Sequence, residues 1–260
     1  MKKHCAVVSV CFISFFCLLS CGLEAFYEIG NIPNSEMRDV TRATIWLPSS
    51  SDSGYQYLTH FMIFYRIYIS DVPETALIAS TTTNDIYNRS LSTALNADFA
   101  SLYPSTDKTS TSVNTSNLEN IFYRRSYFLL TLEGASINGV LDSGGEKKLE
   151  ILFSTVNGES PKLIINETSE YILQRAINGP GLNFTPKPDR RFFNHPDLYN
   201  PANITPQLNA DVASNTGTDI RFTYVSMYIA GKGKSLELPP KDIYSQPTFI
   251  GVFRLANLEN

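Results

Sequence analysis

Side chains able to do chemistry are few in this chain, and the richest grouping lies between positions 189 and 197. Asp189-Arg190-Arg191-Phe192-Phe193-Asn194-His195-Pro196-Asp197 puts two carboxylates and an imidazole into one short stretch. Oxygen and imidazole ligands suit a divalent cation, and a carboxylate within reach of an imidazole can orient it as a general base. Asp189, His195 and Asp197 therefore make a candidate functional loop. The plainer reading is a solvated surface loop braced by Pro196, and it carries more weight. His60 sits on the mixed face of an alternating run, where a hydrogen-bonded histidine is commoner than a ligand or base. The sequence contains no Gly-x-Ser-x-Gly elbow, no His-Glu-x-x-His, no phosphate-cradling Gly-rich loop and no Cys-x-x-Cys. No catalytic residue, metal site or cofactor is expected from these grounds.

The four cysteines, Cys5, Cys11, Cys17 and Cys21, all fall near the amino terminus. Met1-Lys2-Lys3-His4 is a short basic start, and an apolar run from Cys5 to Leu19 follows it. A run of about 15 apolar residues matches a signal-peptide core and is short of the roughly 20 that span a bilayer. It ends in Leu18-Leu19-Ser20-Cys21-Gly22, which resembles the lipobox of bacterial lipoprotein precursors. The resemblance implies diacylation of the Cys21 sulfur and cleavage after Ser20 by signal peptidase II. Leu19 is larger than the usual Ala or Ser there, as in the looser lipoboxes of spirochaetes. Cys5, Cys11 and Cys17 would leave with the signal core, so the mature chain would keep no free thiol and no disulfide.

Composition narrows the classes further. The 260 residues carry 21 Lys+Arg against 25 Asp+Glu, a net charge of −4. Loss of Met1 to Ser20 removes Lys2 and Lys3 and no acid, leaving 19 bases, 25 acids and a net charge of −6. An acidic surface does not track a phosphate backbone, so the basic doublets Arg124-Arg125, Lys147-Lys148 and Arg190-Arg191 read as ordinary exposed faces, and no nucleic-acid partner is expected. Nor can it use a polybasic patch to hold a membrane. The acyl chains would serve instead, each buried methylene contributing about 0.8 kcal/mol.

The elements that must position these residues are mainly β. Period-two alternation is clearest over 55–69, with Tyr55, Tyr57, Thr59, Phe61, Ile63, Tyr65, Ile67 and Ile69 on one face and Gln56, His60, Arg66 and Ser70 among those on the other. Strands are predicted over 44–47, 55–69, 122–132, 149–156, 163–166, 170–177, 220–230 and 248–255. Asn157-Gly158 marks a hairpin, because both central residues of its turn need positive φ. Other breaks fall at Ser143-Gly144-Gly145, Asn178-Gly179-Pro180 and Pro239-Pro240. One amphipathic helix is expected over 84–103, with a Ser/Thr/Asn-rich loop at 108–117. Six prolines rule out a continuous ladder or helix across 179–218, and its aromatic residues argue for packing onto the sheet. The expected architecture is an antiparallel β-sandwich of immunoglobulin or fibronectin type with one inserted amphipathic helix and a long irregular loop, with a small barrel as the alternative. Its parts are a signal peptide at 1–20, a lipid-anchored tether at 21–39 and a single β-rich domain at 40–260.

Two strand sequences, Phe61-Met62-Ile63-Phe64-Tyr65-Arg66-Ile67-Tyr68 and Pro247-Thr248-Phe249-Ile250-Gly251-Val252-Phe253-Arg254-Leu255, resemble uncharacterised lipoproteins of treponemes, as does Cys21-Gly22-Leu23-Glu24. That resemblance implies an envelope location, in the cell or outer membrane and facing periplasm or surface, and brings no activity with it. The expectation is a lipid-anchored envelope protein that acts by binding or as a structural component, with an envelope or host partner of unknown identity. Two other classes stand beside it: an envelope hydrolase or metal-dependent enzyme using the His195 loop, and a carrier of an apolar ligand.

Overall fold

In the computed structural model the described residues are 29, 32, 36–39, 41–52, 55–70, 116–154, 159–176, 193, 212–213, 222–236, 238–240, 242–245 and 247–255. Among them the elements run β1 (Glu36–Asp39), β2 (Arg42–Leu47), β3 (Leu58–Ser70), α1 (Ser116–Arg124), β4 (Phe128–Leu129), β5 (Thr131–Leu132) and α2 (Ile137–Val140). They continue with β6 (Lys147–Leu152), β7 (Lys162–Ile165), β8 (Ser169–Gln174), β9 (Val212–Ala213), β10 (Phe222–Lys234), β11 (Asp242–Tyr244) and β12 (Thr248–Leu255). The chain is mainly β, and its sheets are largely antiparallel.

β3 and β10 form the spine. Both are 13 residues long, and they pair antiparallel from Phe222↔Ser70 to Gly233↔Leu58. Aromatic and β-branched side chains face one another across this ladder (Ile229↔Ile63, Met227↔Tyr65, Val225↔Ile67), and such cross-strand pairs are what stabilises a sheet. β12 and β11 share the other edge of β10, while β4 (antiparallel) and β9 (parallel) share the other edge of β3. The remaining strands form a second six-stranded sheet in the order β1-β2-β6-β7-β8-β5.

From Phe61 to Ile67 the odd positions of β3 point into a core, as the alternation predicts, but at the start of the strand the phase reverses: Thr59 is exposed and Leu58 is buried, where the register with β10 slips. Phe61, Ile63, Tyr65 and Ile67 join Val225, Met227 and Ile229 of β10 in one apolar cluster with Ala43, Ile45 and Leu47 of β2 and Leu149 and Ile151 of β6. Residues of both sheets thus meet in a shared core. The even face of β3 is more apolar than a solvated face should be, and α1 explains it. Met62 and Phe64 are buried there against Leu118 and Phe122 of the helix, together with Tyr127, Tyr228 and Tyr244. Phe64 and Phe122 stack with ring centroids 4.0 Å apart.

This helix corrects the strand predicted over 122–132. The aromatic texture of Phe122-Tyr123 and Tyr127-Phe128 reads as sheet, but Leu118, Ile121 and Phe122 also recur at helical spacing, and Ser116-Asn117-Leu118-Glu119 has the pattern of a helix start. Glu119 lies in the first turn of α1. The chain then leaves the helix through Ser126 at positive φ and enters the two-residue strands β4 and β5. The helix expected over 84–103 and the Asn157-Gly158 turn lie outside the described residues, although β6 and β7 do pair antiparallel on either side of that turn.

Two local features hold the frame together. Between β7 and β8, Asn166 and Glu167 both have positive φ, and the Asn166 side chain accepts a hydrogen bond from the Lys148 N–H at 2.8 Å. At the end of β10, a Cβ on Gly233 would lie 2.2 Å from the carbonyl oxygen of Tyr57, so only glycine permits the approach that lets the Lys234 N–H reach that oxygen. Ile29 and Ile32, within the stretch read as a tether, are buried in the shared core.

Candidate functional site

The densest arrangement of titratable groups among the described residues lies where α1 crosses the ends of β3, β10 and β11. The helix delivers Glu119, β10 delivers Lys232, β11 delivers Asp242 and Tyr244, and the start of β3 delivers His60. Lys232 Nζ and the Tyr244 hydroxyl both donate to Glu119 Oε1, each at 3.0 Å. Lys232 also lies 3.3 Å from Asp242 Oδ2 and 5.3 Å from the Tyr244 ring centroid, and Lys234 pairs with Asp242.

The electrostatics of this cluster hold protons in place. Burial alone would lower the pKa of the Lys232 ammonium, but the hydrogen bond and charge of Glu119 outweigh it and leave the pKa well above its ordinary value. Burial and the Glu119 carboxylate raise Tyr244, and the same two causes raise Tyr123. Burial pushes the Asp242 carboxyl up, yet Lys234 and Lys232 bring it below the usual carboxylate value. At neutral pH, Lys232 is a cation and Tyr244 a neutral phenol. The ammonium has no lone pair to give, and a neutral phenol is a weak base and nucleophile. Chemically, the group is a clasp that pins α1 to the sheet.

His60 is the exception. Burial, and then the Lys232 ammonium, lower its pKa despite Glu119 and Asp242, so the imidazole is neutral at neutral pH. Its Nδ1 lies 3.0 Å from the Thr59 hydroxyl, which itself donates to the Lys232 carbonyl at 2.8 Å. A hydroxyl has one proton and a carbonyl can only accept, so His60 Nδ1 carries the hydrogen and Nε2 the lone pair. Among the described residues, no three His, Cys, Asp or Glu side chains form a group that could hold a metal.

On the second sheet, charge is organised differently. Glu150 is buried beneath an ion network in which Arg42 and Lys148 both pair with it, and Lys148 also pairs with Glu167. Lys148 stands 5.7 Å from the ring centroid of Trp46, which is 53% exposed. Burial pushes the Glu150 carboxyl up, and the two cations more than reverse it. At the far end of β6 and β7 a shallow pocket of about 260 Å³ is lined by Thr41, Leu152, Phe153, Ser154, Glu159, Ser160 and Lys162. It opens beside the end of β6 and the start of β7, not in the interior position between the sheets that an apolar-ligand carrier would use.

Of the residues singled out from the sequence, Ser20, Cys21, Asp189, His195 and Asp197 lie outside the described residues. Their neighbour Phe193 is described and is fully buried, with its ring edge-on to Tyr65 at 5.1 Å and to Phe153 at 6.2 Å. Glu119, Lys232, Asp242 and Tyr244 were not candidates from sequence, because they come from three elements that only the folded topology brings together. Among the described residues no helix is long and apolar enough to cross a membrane. Compared with known proteins, the chain matches no protein-family model, no curated protein and no solved structure.

Proposed function

We propose that the chain is a lipid-anchored protein of the bacterial cell envelope that works by binding or as a structural component. The observation that carries this reading is the order of features at the amino terminus: Lys2-Lys3, the apolar run to Leu19, and then Ser20-Cys21. Cys21 takes the lipid, and the acidic body hangs in the aqueous phase beside the membrane. The body is read as one antiparallel sandwich in the manner of immunoglobulin and fibronectin domains, supported by the core that both sheets share. Its partner is an envelope or host component. A binding role is favoured over catalysis by the polar cluster under α1, where Lys232 and Tyr244 keep their protons.

Globomycin, which blocks signal peptidase II, tests the anchor in growing cells. Treated cells should accumulate a precursor about 2 kDa larger than the mature chain, since Met1 to Ser20 are retained. An unchanged mature size contradicts the reading. Proteinase K on intact cells then separates the surface from the periplasm.

A further inference from the structure

We propose that the turn between β10 and β11, led by Leu236 and Leu238, inserts into the same membrane surface that holds the lipid on Cys21. The inference rests on the lipid-anchor reading above. Leu236 is 66% exposed and Leu238 is 93% exposed. Single exposed leucines are ordinary, but two on one turn are not. In sequence Glu237 separates the two leucines, and Pro239, Pro240 and Lys241 follow them. Proline has no N–H, so the turn brings two fewer donors that would need partners in a water-poor interface.

The path of the chain places this turn at the membrane. Ile29 is packed at the end of β10, where a Cβ on Gly233 would lie 2.8 Å from Ile29 Cδ1 and one on Gly231 would lie 3.5 Å from Ile29 Cγ2. Leu236 follows Gly233 by three residues. From Cys21 to Ile29 the chain spans at most about 29 Å even when fully extended. A body held that closely must turn one end toward the bilayer, and it is the end where the anchor segment enters. Trp46 belongs to this end too: beyond β2, the Ser50 N–H bonds to the Ser143 carbonyl, and the Ser143 N–H bonds to the carbonyl of Thr59 at the start of β3. The large apolar side chains exposed among the described residues, Trp46, Leu236 and Leu238, therefore share one end of the molecule. Lys234, at the last position of β10, is more than half exposed and can keep its ammonium at headgroup depth.

The test uses the full-length acylated protein in phosphatidylcholine vesicles, with or without brominated acyl chains. Trp46→Phe removes the one native tryptophan, and Leu238→Trp then places a reporter at the turn. Because Leu238 is almost wholly exposed, this substitution leaves the core untouched. Glu159→Trp in the same background is the control, at the opposite end because Lys162 pairs with Leu152, which pairs with Arg42 at the start of β2. Brominated lipid should quench the Leu238→Trp reporter about two-fold or more and leave the Glu159→Trp reporter bright. With palmitate label on the protein, equal quenching or no quenching at both positions overturns the proposal. Absence of the label overturns the anchor reading itself and the proposal with it, and the label tells that failure apart from the first.

Discussion

His60 shows how much a single side chain depends on where the fold places it. Alternation puts it on the mixed face of β3, and there the sequence ends its account. The structure adds Thr59, which settles the tautomer, and Lys232, which together with burial disfavours the imidazolium. The lowered pKa has a defined consequence for stability. Unfolded histidine titrates near 6.5, so as pH falls below about 6.5 the unfolded chain takes up protons that the folded chain refuses. Stability present above that pH is lost as pH drops toward the lowered folded value. His60→Gln should flatten this part of the profile, seen as a smaller slope of unfolding free energy between about pH 7 and 5. A slope unchanged from the parent would show that burial does not act on His60 in this way. Asp242 and Glu150 act in a lower window, because their depressed carboxyl values give stability that is lost only as pH falls below about 4. Lys232 acts at the alkaline end, where its raised value keeps stability present below about pH 10.4 and loses it above.

Among the elements, much of the sheet was legible and its partnering was not. The strand predicted over 248–255 coincides with β12, and those over 55–69 and 220–230 foretell the long ladder of β3 and β10. Period two is a local signal, and β-branched and aromatic side chains write it plainly. Pairing β3 with β10 across some 150 residues of chain leaves no local trace, and neither does the arrival of Glu119 beside Lys232 and Tyr244. The helix α1 was hidden for a different reason: Phe122 serves both a helical stripe and a run of sheet-forming aromatics, and only the unfilled even face of β3 decides between them. The end of β10 offers a sharp test of this geometry. At Gly233 a Cβ meets the Tyr57 backbone, which cannot move without breaking the strand pairing, so Gly233→Ala should cost about 3 kcal/mol or more. At Gly231 the obstacle is the Leu58 side chain at 2.7 Å, which can rotate away, and Gly231→Ala should cost about 1 kcal/mol. Urea midpoints of the two variants measure the difference. Equal losses would mean that the close approach at Tyr57 is not what Gly233 serves.

At the scale of the whole molecule, the proposed anchor and the structure bear on one another. The shared core between two six-stranded sheets gives a body that stands without disulfides, as the placement of all four cysteines before residue 22 requires. Ile29 then brings the chain into that core only eight residues after Cys21, so the proposed acylation of Cys21 would fix one end of the body near the membrane. Under the proposed anchoring the body would be an oriented platform, with the ion network of Arg42, Lys148, Glu150 and Glu167 on one sheet and the α1 clasp on the other. The central claim, acylation at Cys21, is tested most directly by the intact mass of the mature chain from its own bacterium, beside Cys21→Ala. The account predicts a chain that begins at Cys21 and carries the added mass of two or three acyl chains, with Cys21→Ala left unacylated and uncut after residue 20. A mature chain that starts elsewhere, or starts at Cys21 with no added mass, would contradict it.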